Sequence, residues 1–459
     1  MHVEVIETPS LGDRSYLVHD GEVALVVDPQ RDIDRVLDLA GELGVRIDCV
    51  AETHVHNDYV SGGLVLSRVT GARYVHAAAE DLRMDHQPVS DGDELTVGSL
   101  HVSVVHTPGH THHHLAYVVR PTDGPPAVFT GGSLLYGTVG RTDLVGADQT
   151  DELTRAQYRS VRRLAEALPD DALVYPTHGF GSFCASASAD VETDGTMGSE
   201  RTVNLALVAD TEDDFVDQLV AGLDDHPRYY AHMGPLNAAG PLGIDLSPPA
   251  EVDPVELRRR VHAGEWVVDL RSRRLFASAH LAGTIGIELD DPFATYVGWL
   301  IPWGTPLTLL ADEPDDITEA QRQLVRIGID RPSGAATGGI DAWADASEQR
   351  SYPVADFAAL AATRNRGREL TVVDLRRGSE FDEGHIDGAI NVPIHELLHR
   401  MHELPDTELW VHCETGFRSS IGASLLDRAG RRVVLVDDEL EHAPDAGVAM
   451  VSGADATMT

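Results

Sequence analysis

The sequence feature that most constrains the fold is a segment that occurs twice in the C-terminal half. "VVDLRSRRLFASAHLAGTI" at 267–285 is matched by "VVDLRRGSEFDEGHIDGAI" at 372–390. A repeat with so long a period, present only twice, indicates duplicated domains and not a solenoid. The matched pairs are Asp269 and Asp374, Arg271 and Arg376, Phe276 and Phe381, His280 and His385, and Gly283 and Gly388.

Each copy alternates short apolar segments such as "EWVVDL" and "ELWVHC" with helical segments such as "SIGASLLDRAG". That alternation predicts two small α/β domains with parallel sheets. Stretches rich in proline or glycine at 233–254 and 346–357 indicate linkers. We therefore predict three domains, at 1–240, 251–345 and 352–452.

The N-terminal region has a different pattern. Hairpin-forming segments such as "YLVHDGEVALVVDP" and "ELTVGSLHVSVVHTPG" are separated by helical ones such as "RAQYRSVRRLAEAL". Such strands and helices predict a mixed α/β sandwich. The fold class predicted for the whole chain is therefore α/β and α+β in several domains, because 459 residues exceed what one core can hold.

The formal charge of −40, from 75 acidic and 35 basic residues, argues against two kinds of partner. A surface this acidic repels nucleic acid and anionic membranes, so we predict neither. Every basic residue is arginine, which excludes Schiff-base chemistry by lysine. The N-terminus lacks a signal-peptide pattern and the three cysteines are too few for a disulfide framework, so we predict a cytoplasmic protein.

A cysteine lies at a strand-to-helix junction in "ELWVHCETGFRSSIGASLLDRAG". There the backbone N–H groups of the loop and the N-terminus of the helix favour the thiolate of Cys413, and Arg418 adds a full positive charge. The loop between them, with Glu414 and Gly416, is one residue shorter than in cysteine phosphatases. A smaller cradle suits a persulfide sulfur better than a phosphate.

With "DLR" and "EFDEGHIDGAINVP", this loop resembles the rhodanese sulfurtransferase family over residues 352 to about 450. The resemblance implies that the Cys413 thiolate attacks a sulfane sulfur, forming a persulfide that a thiol or cyanide then discharges. It assigns Cys413 and Arg418 to catalysis, and Glu414 and Gly416 to substrate binding. The first copy has Ala311 and Asp312 at the nucleophile position, so it is predicted to be catalytically silent.

Histidines and a carboxylate alternate in "ETHVHNDYVSGG". Residues two apart share a face of a strand, so His54 and His56 point the same way with Asp58 close behind. His110 in "TPGHT" and His178 in "PTHG" are further candidates, each at a strand end beside glycine or proline. The set predicts a metal site.

The order of these motifs resembles the metallo-β-lactamase superfamily over residues 1 to about 240, and most of all its persulfide dioxygenase–rhodanese fusions. The resemblance implies an αββα sandwich and a mononuclear Fe(II) that oxidises the sulfane sulfur of glutathione persulfide to sulfite with O₂. His54 and His110 fall on the two histidine positions of the iron site. Arg141 and Asp143 match the segment near the thiol substrate, with a structural ion pair as the alternative.

Two positions depart from the family pattern. Tyr59 replaces the histidine of a second metal, which argues against a binuclear hydrolase, and Gly132 replaces the aspartate that completes the iron site. Three arrangements stay open: His56 joining His54 and His110, which we rank first; Asp58 or His178 as third ligand; or no metal. The neutral three-histidine set also suits Zn(II).

The predicted function is a sulfur-metabolism enzyme for low-molecular-weight persulfides, with oxidation in the N-terminal domain and persulfide transfer by Cys413. The alternative is a rhodanese sulfurtransferase whose N-terminal domain is a non-catalytic or zinc hydrolase-like module. Expected partners are glutathione persulfide or its equivalent, thiosulfate or sulfite, and a second copy in a homodimer.

Overall fold

The computed structural model describes residues 1–186 and 195–452, which form two compact units. The first comprises Met1–Asp245 with Arg322–Asp330, and the second comprises Leu246–Gln321 with the described residues from Arg331 onward. Within these residues no helix combines the length and apolarity needed to cross a membrane. All three cysteines are free thiols.

The first unit contains two facing sheets. Its first sheet is antiparallel through its first three strands and parallel thereafter, and runs in order β1 (His2–Thr8), β2 (Asp13–His19), β3 (Val23–Val27), β4 (Arg46–Ala51), β5 (Arg73–Ala77), β6 (Gln87–Val89). The second sheet has β7 (Glu94–Val97), β8 (Leu100–His106), β9 (Leu115–Arg120), β10 (Ala127–Gly131) and β11 (Leu173–Pro176), in order β11-β10-β9-β8-β7.

Helices cover the outer faces of both sheets. They are α1 (Asp34–Leu43), α2 (Gly63–Thr70), α3 (Thr150–Ala167), α4 (Met197–Val203), α5 (Leu205–Val208) and α6 (Glu212–Ala221). A further helix, α7 (Tyr230–Ala239), contacts the loop after β4 through Asn237. One apolar core lies between the sheets and includes Tyr117 and Phe129. A second packs α1 and α2 on the first sheet, and a third packs α3 and α6 on the second sheet. This confirms the predicted mixed α/β sandwich, with helices outside and two sheets inside.

The first repeat copy forms a parallel sheet in order β14-β12-β15-β16. Its elements are α8 (Pro254–His262), β12 (Trp266–Asp269), α9 (Arg273–Ser278), β13 (His280–Leu281), β14 (Ile285–Gly286), α10 (Phe293–Leu300), β15 (Leu307–Leu310), α11 (Pro314–Arg326), β16 (Gly334–Ala336), α12 (Ile340–Trp343) and β17 (Gln349–Arg350).

The second copy repeats this design with a parallel sheet in order β18-β23-β22-β19-β21. Its elements are β18 (Val354–Ala355), α13 (Phe357–Asn365), β19 (Leu370–Asp374), α14 (Gly378–Glu383), β20 (His385–Ile386), β21 (Ile390–Asn391), α15 (Leu397–Arg400), β22 (Glu408–His412), α16 (Phe417–Arg428), β23 (Val433–Val436) and β24 (Met450–Val451). Both parallel α/β predictions are confirmed.

The residues that recur in the two copies make the same contacts in both. Arg376 donates to the Asp374 carboxylate at 2.8 Å and to Gly384 O at 2.6 Å. The His385 ring stacks on Phe381 with 3.6 Å between ring centroids. The first copy repeats each contact, through Arg271 to Asp269 at 2.7 Å and to Ala279 O at 2.9 Å, and through His280 on Phe276 at 4.0 Å. The repeated motif therefore holds each fold together and carries no chemistry of its own.

Candidate functional site

The Cys413 loop forms a tight cradle around its sulfur. Cys413 follows β22 and is 1% exposed, and α16 begins four residues later at Phe417. The N–H groups of Gly416 and Ser419 point at Sγ from 3.2 and 3.4 Å. Gly416 has φ 96°, and a Cβ there would lie 2.5 Å from Asp437 Oδ1, so the turn requires glycine. Two backbone donors and a helix N-terminus stabilise negative charge on this sulfur.

The charged residues of this loop are all paired. The Arg418 guanidinium binds both oxygens of Glu380, at 2.6 and 2.7 Å. Burial raises the pKa of Glu380, but the hydrogen bonds from Arg418 outweigh that effect and lower it to about 2. Glu414 lies 3.3 Å from Arg376 Nη1 and is half exposed. Two ion pairs therefore hold the cradle from outside. The roles predicted for Arg418, Glu414 and Gly416 in catalysis and substrate binding stay predictions.

The first repeat copy contributes a wall to this cradle. Every residue of α10 is buried, and the Tyr296 ring lies 5.6 Å from the Phe417 ring. Burial raises the pKa of Tyr296 to about 12, with Arg418 and Cys413 both near enough to act on it. The sequence predicted only that this copy is catalytically silent. The signal that could have found the wall is "FATYVGWL", a helix that is apolar all round and so must be covered.

In the N-terminal sandwich, loops after three strands bring the predicted histidines together. His54 and His56 follow β4, His110 lies between β8 and β9, and His178 follows β11. All four side chains are buried. The His54 ring centroid lies 4.1 Å from that of His56, 4.8 Å from that of His110 and 5.4 Å from that of His178.

Three of these histidines have the same ring nitrogen, Nδ1, engaged by a neighbouring group. Nδ1 of His54 is held by Thr53 Oγ1 at 2.9 Å, Nδ1 of His110 by Arg141 O at 2.7 Å, and Nδ1 of His178 by carboxylates. Each Nε2 is thereby free to face a ligand. The Nε2 atoms of His54 and His178 are 3.4 Å apart. Two bonds of about 2.0–2.1 Å at a tetrahedral angle give about that separation.

His178 contacts more of the cluster than expected for a residue that the sequence predicted only as an alternative third ligand. Asp13 and Asp58 accept its Nδ1 proton at 2.8 and 3.0 Å. Burial lowers the pKa of His178, but the charges of Asp58 and then Asp13 outweigh this and raise it. Through one ring nitrogen or the other, His178 belongs to three compact groups, one with His54 and His56, one with His110 and Cys184, and one with both aspartates.

His56 is turned toward a different set of partners. Its Nε2 lies 3.2 Å from Asp28, 3.4 Å from Glu52 and 3.0 Å from the Tyr59 hydroxyl. Burial lowers the pKa of His56, but Asp28 and Glu52 raise it to about 9. Its Nδ1 has no partner among the described residues. The set of His54, His56 and His110 stays a prediction, with His178 better oriented than His56.

Gly132 leaves no room for the missing carboxylate. A Cβ at this position would lie 2.3 Å from Cδ2 of the His110 ring. Its N–H instead donates to Nε2 of His114 at 3.0 Å, which makes His114 a structural residue. The absence of a carboxylate here follows from the packing around His110 as well as from the missing side chain.

The polar groups of this cluster fit a bound cation. Nε2 of His110, Nδ1 of His56 and Oδ1 of Asp58 are buried without a hydrogen-bond partner in the described part of the chain. Such groups carry a free-energy cost of desolvation unless something binds them. Four carboxylates are buried among the imidazoles: Asp13, Glu52, Asp28 and Asp58. A metal ion would satisfy the free nitrogens and balance this negative charge.

Arg141 and Asp143 form an ion pair with each other. Two guanidinium nitrogens of Arg141 donate to Asp143 at 2.7 Å each. The side chain also donates to Phe183 O at 3.1 Å and to Asp224 O at 2.7 Å. This geometry matches the structural alternative, and the predicted contact with substrate stays a prediction.

A cavity of about 480 Å³ opens beside the histidines. Val55, which separates His54 from His56, and Thr111, which follows His110, both line it. Glu80, His226 and Tyr230 lie on its other sides. The volume is in the range of small-molecule sites.

Comparison with known proteins agrees with this geometry. Residues 13–178 match the family "Metallo-beta-lactamase superfamily", and residues 356–441 match "Rhodanese-like domain". A "Hydroxyacylglutathione hydrolase" of Cereibacter sphaeroides is 30% identical over 57% of this chain and 98% of its own length. The chain belongs to the metallo-β-lactamase superfamily. It carries a C-terminal rhodanese-like domain as well.

Further relatives cover different shares of this metallo-β-lactamase–rhodanese chain. Human "Persulfide dioxygenase ETHE1, mitochondrial" is 29% identical over 52% of the chain and 82% of its own length. A metallo-beta-lactamase structure from Staphylococcus aureus superposes with a TM-score of 0.64 at 25% identity, over 73% of this chain and 98% of that one. A hydroxyacylglutathione hydrolase of Aeromonas salmonicida, 36% identical, is covered over only 65% of its length. Relatives of both activities therefore share this metallo-β-lactamase domain.

Sequence reasoning missed several residues of the metallo-β-lactamase site. Asp13 orients His178 from the start of β2, and Thr53 orients His54. Cys184 lies against His110 and His178. The signal for Thr53 was its place beside His54, but nothing local marks Asp13, which lies 165 residues from its partner.

Proposed function

We propose that this chain is a sulfur-metabolism enzyme that processes low-molecular-weight persulfides at two centres. The N-terminal centre oxidises a sulfane sulfur with O₂, and Cys413 transfers sulfane sulfur. The observation that carries the proposal is the presence in one chain of a buried cluster of free Nε2 atoms and a sulfur cradle with two backbone donors. The relatives named as a persulfide dioxygenase and as rhodanese-like support the pairing.

At the C-terminal centre the reaction is a nucleophilic transfer. The Cys413 thiolate attacks the outer sulfur of thiosulfate, the S–S bond breaks, sulfite leaves, and an S–S bond to Cys413 forms. The N–H groups of Gly416 and Ser419 stabilise the negative charge that the terminal sulfur keeps. An acceptor thiolate or cyanide then removes that sulfur. With sulfite as acceptor and a thiol persulfide as donor the same steps give thiosulfate.

At the N-terminal centre the residues would hold one metal ion and exclude water around it. The free Nε2 atoms of His54, His110 and His178 would bind it, as mononuclear Fe(II) or alternatively Zn(II). When bound, iron supplies the redox chemistry for RSSH + O₂ + H₂O → RSH + HSO₃⁻ + H⁺. The chain's part is to fix each imidazole by a hydrogen bond to its Nδ1 and to hold the persulfide in the adjoining cavity.

Two variants separate the centres. The thiosulfate:cyanide assay and O₂ uptake with glutathione persulfide are measured on iron-loaded protein. Cys413→Ser should abolish the first activity and spare the second, and His54→Ala should do the reverse. Cys49→Ser and His101→Ala serve as controls, one a buried thiol of β4 and the other an exposed histidine of β8. Uptake of O₂ no faster than in metal-free protein would refute the dioxygenase half.

A hydrolase of glutathione thioesters is the second candidate, favoured by the relatives named hydroxyacylglutathione hydrolase. Such two-metal chemistry needs a second ligand set, and Tyr59 contributes a phenol where an imidazole would stand. Its hydroxyl is engaged by His56 Nε2 at 3.0 Å. Hydrolysis of S-lactoylglutathione by zinc-loaded protein, lost in His54→Ala and kept in Cys413→Ser, would favour this candidate over the dioxygenase.

A further inference from the structure

A buried thiol lies against the histidine cluster and has no part in the chemistry described above. Cys184 is fully buried in the turn that follows His178. Its Sγ and one ligand atom each of His110 and His178 lie within 4.8 Å of one another. Sulfur and two imidazole nitrogens at such separations can share one ion, since metal–sulfur and metal–nitrogen bonds are about 2.3 and 2.0–2.1 Å long.

The backbone holds this thiol and the His110 ring on one scaffold. Arg141 N donates to Cys184 O at 2.9 Å, and Arg141 O accepts the Nδ1 proton of His110 at 2.7 Å. The Arg141 side chain also binds Phe183 O. Cys184 N in turn donates to Ser182 Oγ at 3.2 Å. Arg141 therefore positions both candidate ligands, which gives its ion pair with Asp143 a structural purpose.

One of the two histidines grouped with this thiol has a ring nitrogen without a hydrogen-bond partner. Nε2 of His110 is completely buried and makes no hydrogen bond within the described ranges 1–186 and 195–452. The family pattern places an aspartate beside this histidine, but residue 132 is glycine. The His110 ring also occupies the space that a side chain at position 132 would need. A thiolate would supply an anionic ligand at this position.

We infer that Cys184 is a ligand of the N-terminal metal ion, binding as a thiolate beside the Nε2 atoms of His54, His110 and His178. The thiol proton leaves to solvent when the metal–sulfur bond forms. This rests on the proposed function only in assuming that the cluster holds a metal. A set of three imidazoles and one thiolate selects Fe(II), Co(II) or Zn(II) over Mg²⁺ and Ca²⁺, which prefer oxygen ligands. Iron with this set keeps further positions open for substrate.

Cobalt substitution of the full chain tests the inference without any substrate. One Co(II) per chain should produce a near-ultraviolet thiolate-to-cobalt charge-transfer band. The band should persist in the double variant Cys49→Ala/Cys413→Ser, in which Cys184 is the sole thiol, and vanish in Cys184→Ser. X-ray absorption of the iron- or zinc-loaded double variant should show one sulfur at about 2.3 Å. The double variant keeps the test valid even if Cys184→Ser fails to fold.

A competition with a chelator adds an affinity measurement. Cys184→Ser should bind the metal at least about tenfold more weakly, since even indirect partners of ligands contribute that much. One cobalt per chain without a thiolate band, or a band unchanged in Cys184→Ser, would overturn the inference. Neither readout uses a persulfide or O₂. Loss of O₂ uptake with the band intact would therefore refute the dioxygenase and leave Cys184 as a ligand.

Discussion

At the scale of single residues, the metal cluster is defined by what holds each ring in place. Nδ1 of His54, His110 and His178 is bound by a hydroxyl, a carbonyl and two carboxylates respectively. Hydrogen bonds of this kind fix the tautomer and the direction of the free nitrogen. His56 has its Nε2 bound by Asp28 and Glu52, so the same residue type in the same motif has a different role.

The variant Gly132→Asp tests how tightly His110 is fixed. The variant restores the carboxylate of the family pattern, but its Cβ would overlap the His110 ring. That ring cannot easily move, because its Nδ1 is bound by Arg141 O and the backbone N–H of His110 donates to Gln157. Overpacking of this kind costs about 1–3 kcal/mol. We expect a lower melting temperature and weaker metal binding, measured by calorimetry and chelator competition. Gly41→Asp, on the exposed side of α1, should change stability by no more than about 0.5 kcal/mol. Tighter metal binding in Gly132→Asp would contradict the prediction.

The sequence was sufficient for the element types and for the loops that carry the site, since strand-end histidines and the "HCETGFRSS" loop are local patterns. The sequence was not sufficient to predict which side chains contact the histidines of the cluster. Asp13 and Cys184 reach the cluster only because β2 and the turn after β11 meet in the sandwich. Nor can spacing reveal that His56 turns toward Asp28, because that choice depends on buried charge contributed by a different strand.

At the scale of elements, the two parallel α/β copies share the contacts of the repeated motif but differ at the cradle. Both keep the Asp–Arg pair and the Phe–His stack that hold β12 and β19 to their following helices. The second copy has Cys413 after β22, whereas the first has Ala311 after the equivalent strand β15 and supplies α10 as a cover. The first copy therefore has no cysteine at this position, and its apolar helix covers the cradle of the second copy.

The covering role of α10 can be measured through the reactivity of Cys413. Tyr296→Ala removes the ring beside Phe417, so Cys413 should become accessible and react several-fold faster with iodoacetamide. Tyr296→Phe keeps the ring and should leave that rate close to the wild-type value. Both rates are measured in the background Cys49→Ala/Cys184→Ala, so that Cys413 is the only thiol that can react. Equal rates in the alanine and phenylalanine variants would show that α10 does not cover the cradle.

At the scale of the whole molecule, the charge of −40 acts on stability more than on chemistry. The residues of the two centres are mostly buried, whereas most of the acidic groups face solvent. Like charges on a surface destabilise the compact state by mutual repulsion, and this repulsion is screened over about 10 Å at 0.1 M salt. Screening should therefore favour the folded chain.

We expect the melting temperature of the full chain to rise by several degrees between roughly 0.01 and 1 M NaCl, with most of the rise complete once the screening length of about 30 Å has fallen to about 3 Å. The rise comes from screened repulsion, because the surface ion pairs that salt weakens contribute only about 0–1 kcal/mol each. Calorimetry in NaCl, with sucrose of equal osmolality as control, separates screening from solvent exclusion. A melting temperature that falls with NaCl would mean that surface ion pairs contribute more stability than the excess negative charge removes.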